Sequence, residues 1–238
     1  MKIAVIHGSP RKGNTYKALT LFKDALAGEG DVSFVEFTLP QDLPEFCRGC
    51  MSCFLNGEET CPHAAYTLPI AKAMLEADAL VFTTPVFALQ TSGGMKNFLD
   101  HYAHMFIVHR AKKEMFGKKA FILATTLGAG TGAALRTIAT SLKFWGVNRI
   151  YTRGLALHGM WADLPPSKQA KLKSKIQAAA KAFNNEVRGG KKRPPYLLTW
   201  GMFYMSRMMM RTYDEASSLD KRYWLENNWF KSTPFKKS

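Results

Sequence analysis

Through the first 187 residues, five apolar, β-branched stretches alternate with five helical patterns, and this restricts the possible folds more than any other feature. Residues 1–7, 31–37, 79–82, 119–125 and 147–157 read as strands. Residues 14–27, 66–77, 93–106, 133–145 and 167–187 carry helical spacing, with Leu19, Phe22 and Leu26 on one face of the first. The run Ala79-Leu80-Val81-Phe82 has no polar alternation, as expected of a strand covered on both faces. Parallel strands need long crossovers, and a helix after every strand supplies them.

The expected architecture is therefore α/β: a five-stranded parallel sheet in the flavodoxin-like order 2-1-3-4-5, with helices on both faces. In such sheets ligands bind at the carboxyl ends of the strands, near the point where strand order reverses. The loops after strands one, three and four should then converge. All three are rich in Gly, Thr, Ser or Pro.

The first of these loops carries the most chemistry. Met1–His7 breaks into Gly8-Ser9-Pro10-Arg11-Lys12-Gly13-Asn14-Thr15, and helix formers follow. A loop that opens a helix aims backbone N–H groups and the positive end of the helix dipole at one point, which suits a phosphate. Neither G-x-x-x-x-G-K-[ST] nor G-x-G-x-x-G is present. What remains is a Ser/Thr/Asn/Arg loop of the kind that holds a flavin monophosphate, or an ordinary strand-to-helix connection with Asn14 as N-cap.

The formal charge is +15. No nucleic-acid-binding motif accompanies it, so the basic surface reads as one that keeps the chain soluble and attracts anionic cofactors. No signal peptide is evident, and no apolar run approaches the ~20 residues that span a bilayer. The expected compartment is the cytoplasm, where disulfides are rare and metal or redox roles for cysteine gain weight.

All four cysteines fall within fifteen residues as Cys47-x2-Cys50-x2-Cys53-x7-Cys61, in a segment (38–65) with no regular pattern. Four soft ligands in one loop suit a [4Fe–4S] cluster or tetrahedral zinc, and three cysteines at x2 spacing lean towards iron–sulfur. A metal-free redox corner is the third reading.

Residues 188–195 form a basic, breaker-rich linker that separates a 1–187 core from a 196–238 extension. Tyr196–Met210 reads as a Met/aromatic helix that packs or dimerises. Membrane contact is the less favoured alternative for a segment this short that Arg207 interrupts. Tyr223, Trp224, Trp229 and Phe230 indicate that the tail docks on something.

In order along the chain stand Gly8–Thr15, Cys47-Arg48-Gly49-Cys50-Met51-Ser52-Cys53, Thr84-Pro85-Val86-Phe87 and Gly94-Met95-Lys96-Asn97-Phe98-Leu99-Asp100. This set resembles the NADPH-dependent FMN reductase superfamily of flavodoxin-like proteins, and within it the iron–sulfur flavoproteins, over residues 1 to about 160. The resemblance implies non-covalent FMN. Ser9, Arg11, Gly13, Asn14 and Thr15 would hold its phosphate. Pro85, Val86 and Phe87 would line its ring, and Thr126, Gly128 and Gly130 would approach the ring from the fourth-strand loop.

It further implies NAD(P)H as donor and a quinone, nitro, azo or free-flavin acceptor, reached through a [4Fe–4S] cluster if the cysteines hold one. The rival reading is an electron-transfer flavoprotein that docks an acidic redox partner. A homodimer or homotetramer is expected, because a neighbouring subunit commonly completes such flavin pockets. No catalytic residue is singled out, although His101, His104 and His109 are candidate proton donors. Two departures stand out. His63-Ala64-Ala65-Tyr66 replaces an acidic pair common after the fourth cysteine, and His101 stands where Arg is frequent.

Overall fold

The computed structural model describes residues 1–190 and 194–235. Lys191, Lys192 and Arg193 of the expected linker lie outside the described residues. The strands are β1 (Lys2–His7), β2 (Ser33–Thr38), β3 (Ala79–Phe87), β4 (Gln90–Thr91), β5 (Lys119–Thr126) and β6 (Arg149–Ala156). The helices are α1 (Asn14–Ala27), α2 (Ser52–Leu55), α3 (Ala64–Glu76), α4 (Gly93–His101), α5 (Thr131–Phe144), α6 (Pro166–Arg188), α7 (Leu197–Thr212) and α8 (Leu219–Glu226).

The long strands form a parallel sheet in the order β2-β1-β3-β5-β6, the predicted 2-1-3-4-5 once the two-residue β4 is set aside. Ile3 pairs with Ala79 and Ala79 with Lys119, so the three central strands start level. β1 ends opposite Thr83 while β3 and β5 run on to Phe87 and Thr126, and since all three run the same way their following loops leave from one edge of the sheet.

The pleat divides the core in two. Ile6, Leu80, Phe82 and Ile122 face α3, α4 and α5, and meet Met95, Phe98 and Trp145. Val5, Val81, Phe121 and Leu123 face α1 and α6, where Phe22 stacks on Phe121 at 4.2 Å and Phe183 closes the cluster. Both faces are apolar because both are covered, which is why these strands show no alternation.

One boundary differs from the expectation. Residues 83–87 continue β3 rather than beginning a loop, because the strand carries on past its apolar run with Thr83 and Thr84 still paired to β5. The chain then reverses through Ala88 and Leu89, both with positive φ (47° and 63°), and β4 pairs back antiparallel on Val86 and Phe87. The 93–106 helix is also shorter: α4 ends at His101, and a 3-10 turn at Ala103–Met105 follows.

A third cluster joins the C-terminal helices to the segment before β5. Phe203, Met210, Trp224 and Trp229 pack on Ile107 and Phe116, with Phe203 stacked on Trp224 at 5.0 Å. Thus α7 docks one face, through Met202, Phe203, Ser206 and Met210. Its other face leaves Trp200, Met205 and Met208 exposed. No helix among the described residues is long and apolar enough to cross a membrane.

Candidate active site

The first loop turns tightly over the sheet. Gly8 N donates to the Thr83 carbonyl at 2.6 Å, and a Cβ at Gly8 would lie 2.6 Å from that oxygen. Ser92, the N-cap of α4, accepts from Met95 N and donates through Oγ to the Gly8 carbonyl. The β1 loop and the start of α4 are thereby one unit.

Above this unit, at the carboxyl ends of β1, β3 and β5, lies a cleft of about 310 Å³. Ser9, Arg11, Gly13, Asn14 and Thr15 line one end of it. Pro85, Val86 and Phe87 form a wall, and Thr126 and Gly128 come from the β5 loop. Ten of the eleven residues expected to hold a cofactor therefore meet in one place.

The eleventh, Gly130, supports the cleft without lining it. Its φ is +94°, and a Cβ there would sit 2.8 Å from both Leu89 Cα and Val86 Cγ1. Only glycine lets the β3–β4 reversal lie down on the β5 loop.

Ser9 Oγ accepts from Arg11 N and Thr126 Oγ1 donates to the Ala129 carbonyl within their own loops, whereas Asn14 and Thr15 bond to distant parts of the chain. Asn14 Nδ2 donates to the Gly159 carbonyl at 3.0 Å, and Asn14 Oδ1 accepts from Trp161 N at 2.7 Å. Asn14 is thus not a side-chain N-cap; Gly13 occupies that position without a side-chain bond. Thr15 Oγ1 meets Thr125 Oγ1 at 2.6 Å in the buried seam between α1 and β5. What both residues keep for an anion is backbone N–H at the first turn of α1.

The clamp by Asn14 brings Met160 into the cleft. Sequence reading missed Met160, Leu127 and Thr125. The rule that ligands sit at strand ends could have flagged Met160, since it lies on the loop after β6. The rim is apolar and open: Phe87 is 49%, Leu89 62% and Leu127 56% exposed.

The four cysteines are free thiols that line one small hollow together with Gly49, Pro62, His63, Asp100 and His101. Positive φ at Gly49 (64°) and Met51 (61°) winds the Cys-x2-Cys-x2-Cys run around it. Cys47 N donates to Asn97 Oδ1 at 2.9 Å, while Asn97 Nδ2 donates to the Glu45 carbonyl. Helix α4 therefore starts at the cleft and ends at the cysteines, nine residues or about 13 Å later.

Burial, with the neighbouring Cys61, Cys47 and Cys50, pushes the Cys53 thiol up to about 11. Four sulfurs this crowded repel as thiolates, which is the donor set a cationic metal centre relieves. The donor atoms within 4.8 Å of one another are those of Cys61, His63 and His101; among the described residues no three sulfurs meet that limit. A tetrahedral zinc, with Zn–S near 2.3 Å, requires sulfurs about 3.8 Å apart.

His101 Nδ1 faces the Asn97 carbonyl at 2.9 Å and so carries the proton. Burial, and secondarily His63, hold the His101 pKa below the ordinary histidine value. Its Nε2 then accepts from His63 Nδ1 at 3.0 Å. This leaves His63 Nε2 as a buried lone pair with no partner among the described residues. An orphaned ring nitrogen beside four thiols fits a site built for a further group.

None of the three candidate proton donors lines the cleft. His101 belongs to the cysteine hollow. His104 is buried behind it, and His109 pairs with Asp220 at 2.8 Å on α8. Arg110, 2% exposed, donates to the Cys53 and Phe54 carbonyls and to Asp220, so it ties the cysteine loop to α8.

A parallel sheet in this order, with a phosphate-type loop at its switch point, defines a flavodoxin-like oxidoreductase. The NADPH-dependent FMN reductase family model matches residues 1–157, and the chain belongs to that family, in its iron–sulfur flavoprotein branch. It is 30% identical over 200 residues to an iron-sulfur flavoprotein of Clostridioides difficile, covering 83% of this chain and 84% of that one. An iron-sulfur flavoprotein of Archaeoglobus fulgidus is 29% identical over 196 residues, covering 79% and 83%.

Among solved structures, an azoreductase of Bacillus anthracis superposes with a TM-score of 0.59 at 18% identity, covering 78% of this chain and 99% of that one. An apo NADH:FMN oxidoreductase gives 0.55 at 19%, covering 76% and 89%. These likenesses concern the fold. The chain is an NAD(P)H-dependent FMN oxidoreductase.

Proposed function

We propose that the strand-end cleft holds FMN, that NADPH or NADH reduces it there, and that the electrons leave through a [4Fe–4S] cluster on Cys47, Cys50, Cys53 and Cys61. The final acceptor is a quinone, nitro or azo compound, or a free flavin. The observation that carries this reading is the meeting of the β1, β3 and β5 loops on one cleft, joined by α4 to the cysteine hollow.

Each part of the chain has a task in this scheme. The Ser9 hydroxyl, the Arg11 guanidinium and the first-turn N–H groups of α1 bind the phosphate. The wall of Pro85, Val86 and Phe87 holds the ring flat. Gly128, whose Cβ would meet nothing within 4 Å, would add no bulk from the β5 loop to the cleft. FMN supplies the hydride-accepting and one-electron chemistry. Asn97 fixes Cys47 for ligation, and Arg110 fixes the Cys53 turn.

Three cysteines at x2 spacing lean towards a multi-iron group, and the C. difficile and A. fulgidus relatives carry the name iron-sulfur flavoprotein. A related solved structure is described as an FMN-dependent NADH-azoreductase in complex with FMN. In this scheme residues 1–187 carry the flavin site, and α8 of the C-terminal extension braces the cysteine loop. The apolar rim at Phe87, Leu89 and Leu127 is covered by a second copy, in a homodimer or homotetramer working in the cytoplasm.

Anaerobic mixing with NADPH or NADH tests the reading: flavin absorption near ~450 nm should bleach within the turnover time. The +15 charge favours a second reading, a carrier that docks an acidic redox protein. Under it, neither nucleotide bleaches the flavin, and a reduced partner protein does.

A further inference from the structure

A cavity larger than the flavin cleft lies elsewhere in the fold. It is an open chamber of about 820 Å³ between α3, the 102–114 segment and α8. Its walls are mainly apolar, built from Leu68, Pro69, Ala71, Leu75 and Met105, with Glu58 and Lys112 paired at one side. This size is in the range of pockets that enclose small organic ligands.

Two buried polar side chains line the chamber, Thr67 and His104. His104 is 4% exposed and lines it. Its Nδ1 lies 3.1 Å from the His101 carbonyl, which can only accept, so Nδ1 carries the proton. Nε2 has no hydrogen-bond partner among the described residues. It retains some accessible surface, on a ring that lines the chamber. Burial holds the ring neutral, with its pKa down to about 4 despite the opposing Glu58 carboxylate. A neutral ring with Nδ1–H presents a lone pair at Nε2.

A chamber with an apolar floor, a charged rim at Lys72, Glu76, Lys113 and Glu114, and a buried ring acceptor suits an apolar molecule that brings a hydrogen-bond donor. The geometry points to a binding site for aromatic alcohols, hydroquinones among them, that lies apart from the flavin cleft and is anchored by His104 Nε2. The chamber also adjoins the cysteine hollow. Tyr102 lines it and feels the charge of Cys61, while the carbonyl that orients His104 belongs to His101 of the hollow. A hydroquinone held there is the reduced form of a quinone acceptor; this assignment to the redox path rests on the proposed function, whereas the binding site does not.

The test is calorimetric titration of the oxidised, FMN-loaded protein with 2-naphthol and with 2-methoxynaphthalene, in which a methyl group replaces the donated proton. The naphthol should bind saturably and at least ~10-fold more tightly than the ether. His104→Phe should abolish that preference and His104→Gln, which can still accept, should keep most of it. Leu68→Trp, at the rim, should weaken both compounds while FMN uptake is unchanged. If that variant fails to take up FMN, Lys72→Trp replaces it, from an exposed rim position on the same helix.

No binding, equal affinity for the two compounds, a preference that survives His104→Phe, or binding untouched by the rim variant would each overturn the site. Flavin bleaching by NADPH, measured separately, reports on the proposed function whatever the naphthol does.

Discussion

Arg110 and Asp220 form a buried ion pair 110 residues apart in sequence, and through it the C-terminal helix α8 holds the cysteine loop. The same guanidinium donates to the carbonyls of Cys53 and Phe54, and Asp220 also receives His109. Removing Asp220 leaves the buried Arg110 charge with only the Glu58 carboxylate, 3.8 Å away, to compensate it. Asp220→Ala should cost about 3 kcal/mol in urea unfolding. It should also lower the iron retained per chain on anaerobic purification. Unchanged iron with unchanged stability would mean that α8 is irrelevant to the loop.

Asn14 should act on the flavin through a loop rather than by direct contact. Its amide holds Gly159 and Trp161, and so holds Met160 over the cleft. Asn14→Ala removes two bonds, each worth about 1 kcal/mol. FMN dissociation measured by fluorescence should quicken about tenfold, with the same maximal bleaching by NADPH at saturating flavin.

Gly130→Ala should be among the more damaging small changes. A methyl at φ +94° would strike the Leu89 backbone and the Val86 side chain, and the Leu89 backbone cannot yield freely. A loss of about 1–3 kcal/mol is expected, with weakened FMN binding. Gly128→Ala, two residues away in open space, should be close to neutral in both assays.

Much of this arrangement was legible in the chain. Unbroken apolar runs such as Ala79–Phe82 announced strands covered twice, and sheet order followed from their alternation with helices. The three converging loops were legible for the same reason, since strand ends in such sheets face one way. The role of Asn14 was not, because its partners lie 145 and 147 residues downstream. Nor was the Arg110–Asp220 clamp, or the chamber at His104, whose walls come from three distant segments. Local pattern specifies elements; bonds between remote side chains appear only once the elements are packed.

Acid should loosen the protein through His104. Its folded pKa is near 4 and its unfolded value near 6.5, so below pH 6.5 the unfolded chain binds the extra proton. Stability is therefore full above about pH 6.5 and declines as pH falls towards 4. Glu58, whose pKa is lowered against an opposing burial cost by its bond to Lys112, adds loss in the same direction at lower pH. Thermal unfolding at pH 7.5 and pH 5 should show the drop, and His104→Gln should make it shallower.

The central claim is that one chain carries a flavin at its strand ends and a cluster at its four cysteines. Anaerobic purification, followed by flavin extraction and metal analysis of the wild type and of Cys50→Ser, tests it most directly. The expected result is about one FMN and about four irons per wild-type chain, with little zinc, and iron but not FMN lost in the variant. One zinc per chain, or full flavin with no metal in protein prepared and reconstituted without oxygen, would contradict it.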